Sequence, residues 1–333
     1  MAASIKIALD LEGGDLGPDA VGPAVNSFLK KHKDVSLILL GEAPAIAKCK
    51  SKSPIEFQKN IQWIECEDSV LMDEPPGEAI RKKKRSSMQM GINLVKEGHA
   101  SAFVSSGNTG ALVSMSKITL RMIPGIDRPA LVNMLPGKEH PFLMLDLGAN
   151  VDCDHNNLYQ FAQMGSFLAS DLFNMDRPRV HLLNNGTEYL KGKERIKKAS
   201  EMLEDSNLNY LGYIEAHDIF SGKTEVVVCD GFSGNIALKA IEGTADLIKT
   251  FMRDGFNRNL FSKVSGLLAA PTLKNIKNRL DSRKYNGAIF IGLNGIVVKS
   301  HGGSDSVAFE SAIEIALSEA KNNIVDKIKK SLG

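Results

Sequence analysis

Three apolar residues, Ala102-Phe103-Val104, pass directly into the polar stretch Ser105-Ser106-Gly107-Asn108-Thr109-Gly110. A short apolar run that stops at glycine and small polar residues is typical of a buried strand followed by a loop. Glycine lets the backbone approach a ligand closely, and the amides that open the next helix can hold an anion. This stretch therefore predicts a strand, an anion-binding loop and a helix in succession.

Four further junctions of the same kind occur along the chain. In each, an apolar run ends at a cluster of Gly, Asn, Asp, Ser or Thr, and the clusters occupy residues 146–152, 184–188, 230–235 and 299–305. In a parallel α/β sheet such loops follow the carboxyl ends of strands, where ligand crevices form. Because the clusters are rich in Asn and Asp rather than in Lys and Pro, we expect one polar site assembled from several loops, rather than a set of ordinary turns.

The rest of the chain continues the alternation of strands and helices. Residues 5–11 predict the first strand, and Pro18 suits the first position of the helix that follows the Gly13-Gly14 loop. Further alternation up to the C-terminus favours parallel βαβ units. Since there is no clear linker and no fixed-period repeat, residues 1–333 are expected to form a single α/β catalytic unit.

One segment, at about 246–284, lacks a convincing strand and shows apolar residues at near-helical spacing. It carries nine Lys and Arg residues against three Asp residues, a net charge of +6. We expect a projecting pair of helices with an apolar tip at 265–271. The pair could pack on the body or on a second subunit, or it could place its basic flanks and apolar tip on an anionic membrane. The predicted membrane contacts are Phe256, Leu260, Leu267 and Leu268.

The bulk composition is that of an ordinary soluble globular protein, with 43% hydrophobic and 24% charged residues. A formal charge of +2 and a single Trp do not favour nucleic-acid binding. The four cysteines form no CxxC pair, so no zinc knuckle or disulfide framework is indicated and a reducing cytoplasm is the expected setting. The early acidic residue Asp10 argues against a signal peptide, and no run approaches the ~20 apolar residues of a spanning helix.

Two patterns that resemble nucleotide-binding motifs fail on spacing. Ser221-Gly222-Lys223-Thr224 is like the end of a P-loop, but His217 stands where the first glycine is required. No G-x-G-x-x-G motif occurs either, which weakens the case for a nicotinamide-dependent dehydrogenase.

A basic run, Arg81-Lys82-Lys83-Lys84-Arg85, leads into two hydroxyl residues, Ser86 and Ser87. Taken alone, such a run usually marks a solvated helix face. The hydroxyls, together with the preceding Asp73-Glu74-Pro75-Pro76 turn, favour an anion-binding loop instead. The run could also steer an acidic protein partner towards the site.

A set of motifs spread along essentially the whole chain resembles one family of enzymes. In order, the motifs are Asp10…Gly13-Gly14-Asp15, Arg81…Ser86-Ser87-Met88, Ser106-Gly107-Asn108-Thr109-Gly110-Ala111-Leu112, Gly125-Ile126-Asp127-Arg128-Pro129-Ala130-Leu131, Asp146…Gly148-Ala149-Asn150-Val151-Asp152, Gly186-Thr187-Glu188…Lys191-Gly192, Asp230-Gly231-Phe232-Ser233-Gly234-Asn235, Tyr285…Gly287-Ala288 and Lys299-Ser300-His301-Gly302. Their order is similar to that in the bacterial phosphate acyltransferases of phospholipid synthesis. Glu12, Ser106 and Asn185 depart from the residues usual in that family, and none of these changes removes a polar group.

The resemblance implies conversion of acyl-(acyl carrier protein) and inorganic phosphate to acyl phosphate and free carrier, with no cofactor and no nucleic acid. It also implies a three-layer α/β/α sandwich like that of the phosphotransacetylases and of isocitrate and isopropylmalate dehydrogenases. The resemblance further implies a homodimer and, in some members of the family, association with the membrane. The acyl phosphate would feed a downstream glycerol-3-phosphate acyltransferase. We expect a cytoplasmic protein that could also contact the membrane peripherally.

The expected reaction places a phosphate oxygen on a thioester carbonyl, so the protein must hold two anions together and stabilise the developing oxyanion. Lys191 is the expected charge clamp because the family motif carries it, although it is also one of several surface lysines. Asp230 would orient a partner or accept a proton, or it would simply cap a helix. His301 would bind phosphate or protonate the leaving sulfur, or it would be a buried structural histidine.

Other polar residues of the motifs are expected to bind substrate. They are Arg81, Ser86, Ser87, Gly107, Asn108, Thr109, Asn150, Asp152 and Asn235. Cys153 and Cys229 adjoin two of the loops, but no histidine neighbours either in sequence, so direct transfer is favoured over an acyl-enzyme. The spacing of Asp152, Asp154 and His155 indicates no metal site. A dehydrogenase on a related fold and a non-catalytic membrane scaffold for lipid enzymes are the alternatives.

Overall fold

An eleven-stranded sheet runs through the computed structural model, which describes residues 5–188 and 191–332. The strands are β1 (Lys6–Asp10), β2 (Ser36–Gly41), β3 (Ile61–Glu65), β4 (Ala102–Ser105), β5 (Ala130–Leu135), β6 (Phe142–Leu145), β7 (Arg179–Leu183), β8 (Asn209–Ile214), β9 (Val226–Val228), β10 (Ala288–Ile291) and β11 (Ile296–Lys299). The helices are α1 (Pro18–Lys31), α2 (Ala43–Lys52), α3 (Pro76–Lys82), α4 (Ser87–Lys96), α5 (Thr109–Leu120), α6 (His155–Phe173), α7 (Glu194–Glu204), α8 (Gly231–Asn257), α9 (Leu260–Leu280), α10 (Ser306–Asn322) and α11 (Ile324–Leu332). Short 3₁₀ turns occupy Ile55–Asn60 and Ser282–Tyr285.

The sheet consists of two parallel halves that run in opposite directions. Its order is β3-β2-β1-β4-β11-β10-β5-β6-β9-β7-β8. The first five strands are parallel to one another, and so are the last four. Between them, β10 is antiparallel to both of its neighbours, and β5 is antiparallel to β6. The carboxyl ends of the first half therefore lie at the opposite edge of the sheet from those of the second half.

The prediction of parallel βαβ units is correct within each half and wrong at the centre of the sheet. Residues 136–141 join β5 to β6, and residues 292–295 join β10 to β11. Connections this short cannot hold a crossover helix, so these strand pairs form hairpins and are antiparallel.

Alternate residues of the strands pack into two separate apolar cores, one on each face of the sheet. In β1, Ile7 and Leu9 join the core that includes Phe28 of α1, whereas Ala8 joins the core that includes Met88 of α4. Fully burying one large apolar side chain contributes roughly 1.5–3 kcal/mol, so both faces stabilise the sheet. The protein is a three-layer α/β/α sandwich, as predicted.

The segment at 246–284 is helical over most of its length, as predicted, but its boundaries differ from the expectation. Helix α8 already begins at Gly231, and α9 follows a turn at Arg258 and Asn259. The Asn259 side chain caps α9 by accepting a hydrogen bond from the Ser262 amide at 2.8 Å. The predicted apolar tip at 265–271 is therefore wrong, because this cap starts the second helix earlier and α9 continues through Pro271.

The four side chains predicted to touch a membrane are not equally exposed. Leu260, Leu267 and Leu268 are 83%, 76% and 79% exposed. Phe256 is only partly exposed and packs against α9, since a Cβ on Gly266 would come within 2.9 Å of its ring. Phe256 thus joins α8 to α9. None of the described helices combines the length and the apolarity that a bilayer-spanning segment needs.

Candidate active site

Loops from the first half of the sheet meet at one edge, and we call them the first loop cluster. The cluster consists of residues 10–15 after β1, 105–110 after β4 and 299–305 after β11. The Asp15 amide donates to the Gly302 carbonyl at 2.8 Å, and the Ser106 hydroxyl donates to the Gly13 carbonyl at 2.7 Å. Gly14 has a φ of +79°, and a Cβ there would lie 2.6 Å from the Gly302 oxygen. The close approach of these loops therefore requires glycine.

Asp10 is the buried centre of the first loop cluster. Its carboxylate accepts hydrogen bonds from the hydroxyls of Ser87 and Ser105, both at 2.7 Å. Ser87, predicted to bind substrate, thus holds Asp10 in place. Ser86 caps α4, because its oxygen accepts a hydrogen bond from the Gln89 amide at 3.3 Å. Both serine side chains are engaged in the protein's own structure.

The N-terminus of α5 opens into the same cluster. Asn108 caps this helix by accepting a hydrogen bond from the Ala111 amide at 3.1 Å, and its side-chain nitrogen donates to the Met72 carbonyl at 3.0 Å. The amides of Thr109 and Gly110 belong to the first turn, whose N–H groups have no intrahelical acceptors. The Asn108 side chain is therefore structural, and the amides that follow it are placed to bind an anion.

Gly107 and Arg81 border the first loop cluster in different ways. Gly107 is buried, and a Cβ there would come within 2.8 Å of the Met88 methyl group. Arg81 is exposed on α3, where its Nε donates to the Gly77 carbonyl at 3.1 Å. Three other members of its basic run form ion pairs, which are Lys82–Glu78, Lys83–Asp68 and Arg85–Glu67. The run therefore offers less positive charge to a partner than its sequence indicates.

Lys299, the last residue of β11, is a cation that sequence reasoning did not single out. Its side chain is 8% exposed, and its ammonium donates to the carbonyl oxygens of Ser106, at 3.1 Å, and of Ser300. Burial lowers the pKa of Lys299 to about 8, although the carboxylates of Asp10 and Asp15 favour its charged form. The family motif contains this lysine, but a lysine at the end of a strand is ordinarily expected to be solvated.

His301 lies at the mouth of the first loop cluster, with its side chain 56% exposed. Its Nδ1 accepts a hydrogen bond from the Gly303 amide at 3.1 Å, so the neutral ring carries its proton on Nε2. That nitrogen lies 3.9 Å from a carboxylate oxygen of Glu242 on α8. The alternative of a buried structural histidine is wrong, because the ring stands open at the edge of the sheet.

Loops from the second half of the sheet form a second loop cluster at the opposite edge. It consists of residues 146–152 after β6, 184–188 and 191–192 after β7, and 230–235 after β9. Asp146 is buried and accepts hydrogen bonds from the amides of Leu131, Ala149 and Asn150 at 3.0, 2.9 and 2.7 Å. Burial raises the pKa of Asp146, and these hydrogen bonds oppose the rise. The Asn150 side chain donates to Asp146 and to the Pro129 carbonyl, so it supports the loop.

Asp230 caps α8 and also carries an ion pair. One carboxylate oxygen accepts a hydrogen bond from the Ser233 amide at 2.7 Å, and the other accepts one from the Arg195 guanidinium at 2.6 Å. The same guanidinium lies 3.7 Å from Asp152, whose side chain is 92% exposed. The Arg195 Nε is buried and has no hydrogen-bond partner among the described residues. Arg195 lies outside every motif, and only the fold places it between two predicted site residues.

Lys191 and Asn235 both stand exposed in the second loop cluster. The Lys191 carbonyl accepts a hydrogen bond from the Asn184 side chain at 3.2 Å. Gly192, with a φ of +91°, lets the loop pass close to that side chain. Asn235 lies on α8 a little over one turn beyond Asp230. Both side chains are therefore accessible at the edge that holds Asp230.

The predicted site residues fall into two groups rather than one. Helix α8 connects the two clusters, since Asp230 precedes its first residue and Glu242 lies beside His301. The rise of 1.5 Å per residue puts these two points roughly 18 Å apart along the helix. One phosphate ion cannot touch Asp230 and His301 of the same chain at that separation. The antiparallel centre of the sheet sends the loops to opposite edges, and the joint action of the two clusters in one site stays a prediction.

The two cysteines beside the loops are poorly placed for covalent catalysis. Burial raises the pKa of Cys153 to about 12 and that of Cys229 well above its usual range. The Cys229 thiol donates to the Asp146 carbonyl at 3.4 Å. Only the thiolate is a nucleophile, so neither residue is prepared to form an acyl-enzyme.

Known proteins resemble the chain over its whole length. The family model described as "Fatty acid synthesis protein" matches residues 5–327. The chain is 47% identical over 332 residues to a phosphate acyltransferase of Alkalilimnicola ehrlichii, and this match covers 100% of the chain and 97% of the relative. A phosphate acyltransferase of Coxiella burnetii is 49% identical over 329 residues, covering 98% of this chain and 96% of the relative.

Solved structures share the fold at low sequence identity. A phosphotransacetylase from Streptococcus pyogenes matches with a TM-score of 0.61 at 19% identity, covering 97% of this chain and 95% of that chain. A branched-chain phosphotransacylase from Enterococcus faecalis matches with a TM-score of 0.59 at 14% identity, and the match covers 95% of this chain and 99% of that chain. The phosphotransacetylase-like fold predicted from the sequence is thus confirmed. With full-length relatives at nearly half identity, the chain belongs to the phosphate acyltransferase family and is an acyltransferase.

Proposed function

We propose that the enzyme transfers an acyl group from the thioester of an acyl carrier protein to inorganic phosphate, giving acyl phosphate and the free carrier thiol. A phosphate oxygen bonds to the carbonyl carbon, the carbon–sulfur bond breaks, and the leaving thiolate takes up a proton. The observation that carries the proposal is the first loop cluster. Its hydrogen-bonded loops carry a helix N-terminus, a buried ammonium and the Nε2 of His301, which are groups that suit phosphate, and we infer that they border one polar crevice.

For this reaction the protein mainly has to position the two substrates and stabilise negative charge. Phosphate is a competent nucleophile, and a thiol with a pKa of ~8.5 leaves without strong acid help. The protein must therefore hold two anions close together and stabilise the oxyanion. We assign phosphate to the amides of Thr109 and Gly110 and to His301. Gly107 and Asn108 would shape the crevice without binding phosphate through side chains.

We infer that the second loop cluster acts in the same site only through a second copy of the chain. In a two-fold dimer the same surface of both subunits forms the interface, so an interface along α8, which reaches both clusters, would bring the Asp230 group of one copy to the first loop cluster of the other. Phe232 and Ile236 support this arrangement, because they stand exposed on α8 beside Asp230 and an apolar patch favours burial. Lys191 and Arg195 would then bring positive charge to the acyl thioester.

Direct transfer predicts that Cys153→Ser and Cys229→Ser will both retain most of the phosphate-dependent activity. Both thiols are buried with raised pKa values and are not available as thiolates. The measurement follows release of the free carrier thiol from a long-chain acyl carrier protein with and without phosphate. Release that does not depend on phosphate would overturn the proposed reaction.

Cys49→Ser provides the matched control for the two cysteine changes. Cys49 is also buried, its pKa is raised to about 11 by burial, and its thiol donates to the Pro18 carbonyl away from both loop clusters. We expect all three serine variants to behave alike. A covalent acyl-protein found by denaturing mass spectrometry, or a folded Cys229→Ser protein without activity, would instead support an acyl-enzyme.

Two exposed cations beside the first loop cluster suit the acidic carrier. Arg81 and Lys84 are exposed at the end of α3 and just beyond it. We propose that they guide the carrier electrostatically towards the crevice. The ion pairs of the other three members of the run reduce the positive charge that the carrier meets. Salt should weaken this attraction further, because the electrostatic screening length falls from ~10 Å at 0.1 M to ~3 Å at 1 M.

Exposed leucines on α9 are proposed to touch a membrane surface. Changing Leu267→Glu together with Leu268→Glu should weaken binding to anionic liposomes by about tenfold or more, since each buried leucine contributes roughly 1.5–3 kcal/mol. Turnover in solution should remain close to normal, because both side chains point into solvent. Liposome flotation measures the binding. Ile55→Glu with Ile118→Glu, two exposed positions on other elements, is the matched control. Loss of turnover with unchanged liposome binding would contradict the assignment.

A further inference from the structure

The buried side chain of Lys299 links two loops of the first loop cluster by hydrogen bonds. It ends β11, where it is the register partner of Ser105 at the end of β4. Its ammonium donates to the Ser106 carbonyl in the loop after β4 and to the Ser300 carbonyl in the loop after β11. An ammonium has three donors, and these two hydrogen bonds fix the loops that carry the α5 N-terminus and His301.

The positive charge of Lys299 is not neutralised by a direct ion pair within the described parts of the chain. Asp10, the buried carboxylate nearby, accepts its hydrogen bonds from Ser87 and Ser105 instead. The charged groups that act on Lys299 from a distance are Asp10 and Asp15, which favour its charge, and Lys239 of α8, which opposes it. Neutral carbonyls do not cancel the charge of a buried ammonium, so Lys299 can still attract an anion that binds nearby.

We propose that Lys299 is a positioning residue for phosphate, which fixes the loops after β4 and β11 and sets a buried positive charge under the phosphate-binding crevice. The inference rests on the proposed function, because it assumes that phosphate binds at the first loop cluster. His301 and the α5 amides contact phosphate, and Lys299 acts through the loops that hold them. Without the ammonium, the carbonyls of Ser106 and Ser300 lose a donor, and the loops must move to satisfy them.

The charge of Lys299 makes the role testable by pH. Because burial lowers its pKa to about 8, the ammonium is charged at neutral pH and loses its proton as the pH rises through this value. The KM for phosphate should therefore rise on the alkaline side. An arginine in this position stays charged over the same range, so Lys299→Arg should remove that rise. The titration of phosphate itself is common to both proteins and cancels in the comparison.

The experiment compares Lys299→Met, Lys299→Arg and the exposed Lys321→Met of α10 in the thiol-release assay, with inorganic phosphate and an acyl carrier protein thioester. Lys299→Met should raise the KM for phosphate roughly tenfold to a hundredfold, the effect of losing a hydrogen-bonded charge, and change the KM for the carrier much less. Lys299→Arg should keep a phosphate KM near normal at neutral pH. Lys321→Met should leave both KM values unchanged.

Thermal unfolding shows whether each variant folds. If Lys299→Met does not fold, the pH profiles of the unmodified protein and of Lys299→Arg still decide the question. An unmodified enzyme with no phosphate-dependent thiol release would overturn the proposed function itself. If release does occur, three results each overturn only this inference: a normal phosphate KM in Lys299→Met, an alkaline rise that persists in Lys299→Arg, or a folded Lys299→Arg as impaired as the methionine variant.

Discussion

Two variants that are nearly inactive alone are expected to restore activity when they are combined. His301→Ala removes the imidazole of the first loop cluster, and Asp230→Asn removes a charge of the second. Each change should lower kcat by about 10²–10³, the usual effect of losing one preorganised electrostatic contact. If each site takes His301 from one subunit and Asp230 from the other, a mixed dimer contains one intact site and one doubly altered site.

The amount of restored activity follows from the pairing of subunits. Random pairing makes about half of the dimers mixed, and each mixed dimer has one intact site of two, so co-expressed variants should reach about a quarter of normal activity. Mixed dimers isolated with two affinity tags should reach about half. His301→Ala should change thermal unfolding little, because its side chain is exposed. Asp230→Asn should lower the unfolding temperature, because the Arg195 guanidinium loses its buried carboxylate partner, although asparagine keeps the cap on α8.

A second pair of variants is the control for this experiment. His301 and Lys299 both belong to the first loop cluster, so every site of a mixed His301→Ala and Lys299→Met dimer lacks one of them. At phosphate concentrations well below the raised KM of Lys299→Met, that mixture should be no more active than the two variants assayed alone. Equal activity from both mixtures, or no recovery in mixed dimers of the first pair, would contradict a site shared between subunits.

The largest loss of stability is expected from Gly234→Ala, in the first turn of α8. A Cβ there would lie 1.9 Å from the Asp146 carbonyl oxygen and 2.8 Å from the Cys229 sulfur. A backbone oxygen cannot rotate away as a side chain can, so α8 and the loop after β6 would have to separate. Such overpacking typically lowers the free energy of unfolding by ~1–3 kcal/mol, and this contact belongs at the upper end.

A glycine further along the same helix supplies the control. No heavy atom of the described residues lies within 4 Å of a Cβ added to Gly243, so Gly243→Ala should stabilise α8 slightly. Alanine is favoured over glycine inside a helix by ~1 kcal/mol. Chemical denaturation followed by circular dichroism compares the two variants. Equal unfolding free energies would show that the contact between α8 and the loop after β6 is looser than its geometry indicates.

Strands and the loops after them can be predicted from this sequence, whereas the direction of the strands cannot. Phe142–Leu145 and Val226–Val228 are short apolar runs followed at once by polar clusters, and both are strands. The central strands β5 and β10 look the same in either direction, because a buried strand has no polarity in its apolar pattern. The reversal at the centre depends on which distant segments pair, and local sequence does not carry that information.

For the site, the kinds of residue can be predicted better than their roles. Ser87 and Asn108 are polar residues of conspicuous loops, but they satisfy the protein's own hydrogen bonds before any ligand arrives. Arg195 reaches Asp230 from a helix that belongs to no motif, so only the tertiary fold makes it a neighbour of the site. Lys299 stands within a motif, yet its burial results from the packing of β11 between two other strands.

The position of β11 in the sheet has a consequence for the synthesis of the chain. Ile296 pairs with Ala102 of β4, and Lys31 of α1 binds Glu310 of α10 at 2.8 Å, so the end of the chain completes the half of the sheet that is made first. Until β11 leaves the ribosome, β4 is an open edge whose N–H and C=O groups lack partners. Pairing across so long a stretch of chain is slow. We therefore expect a nascent chain of this enzyme to expose the unpaired edge of β4 until β11 has been made.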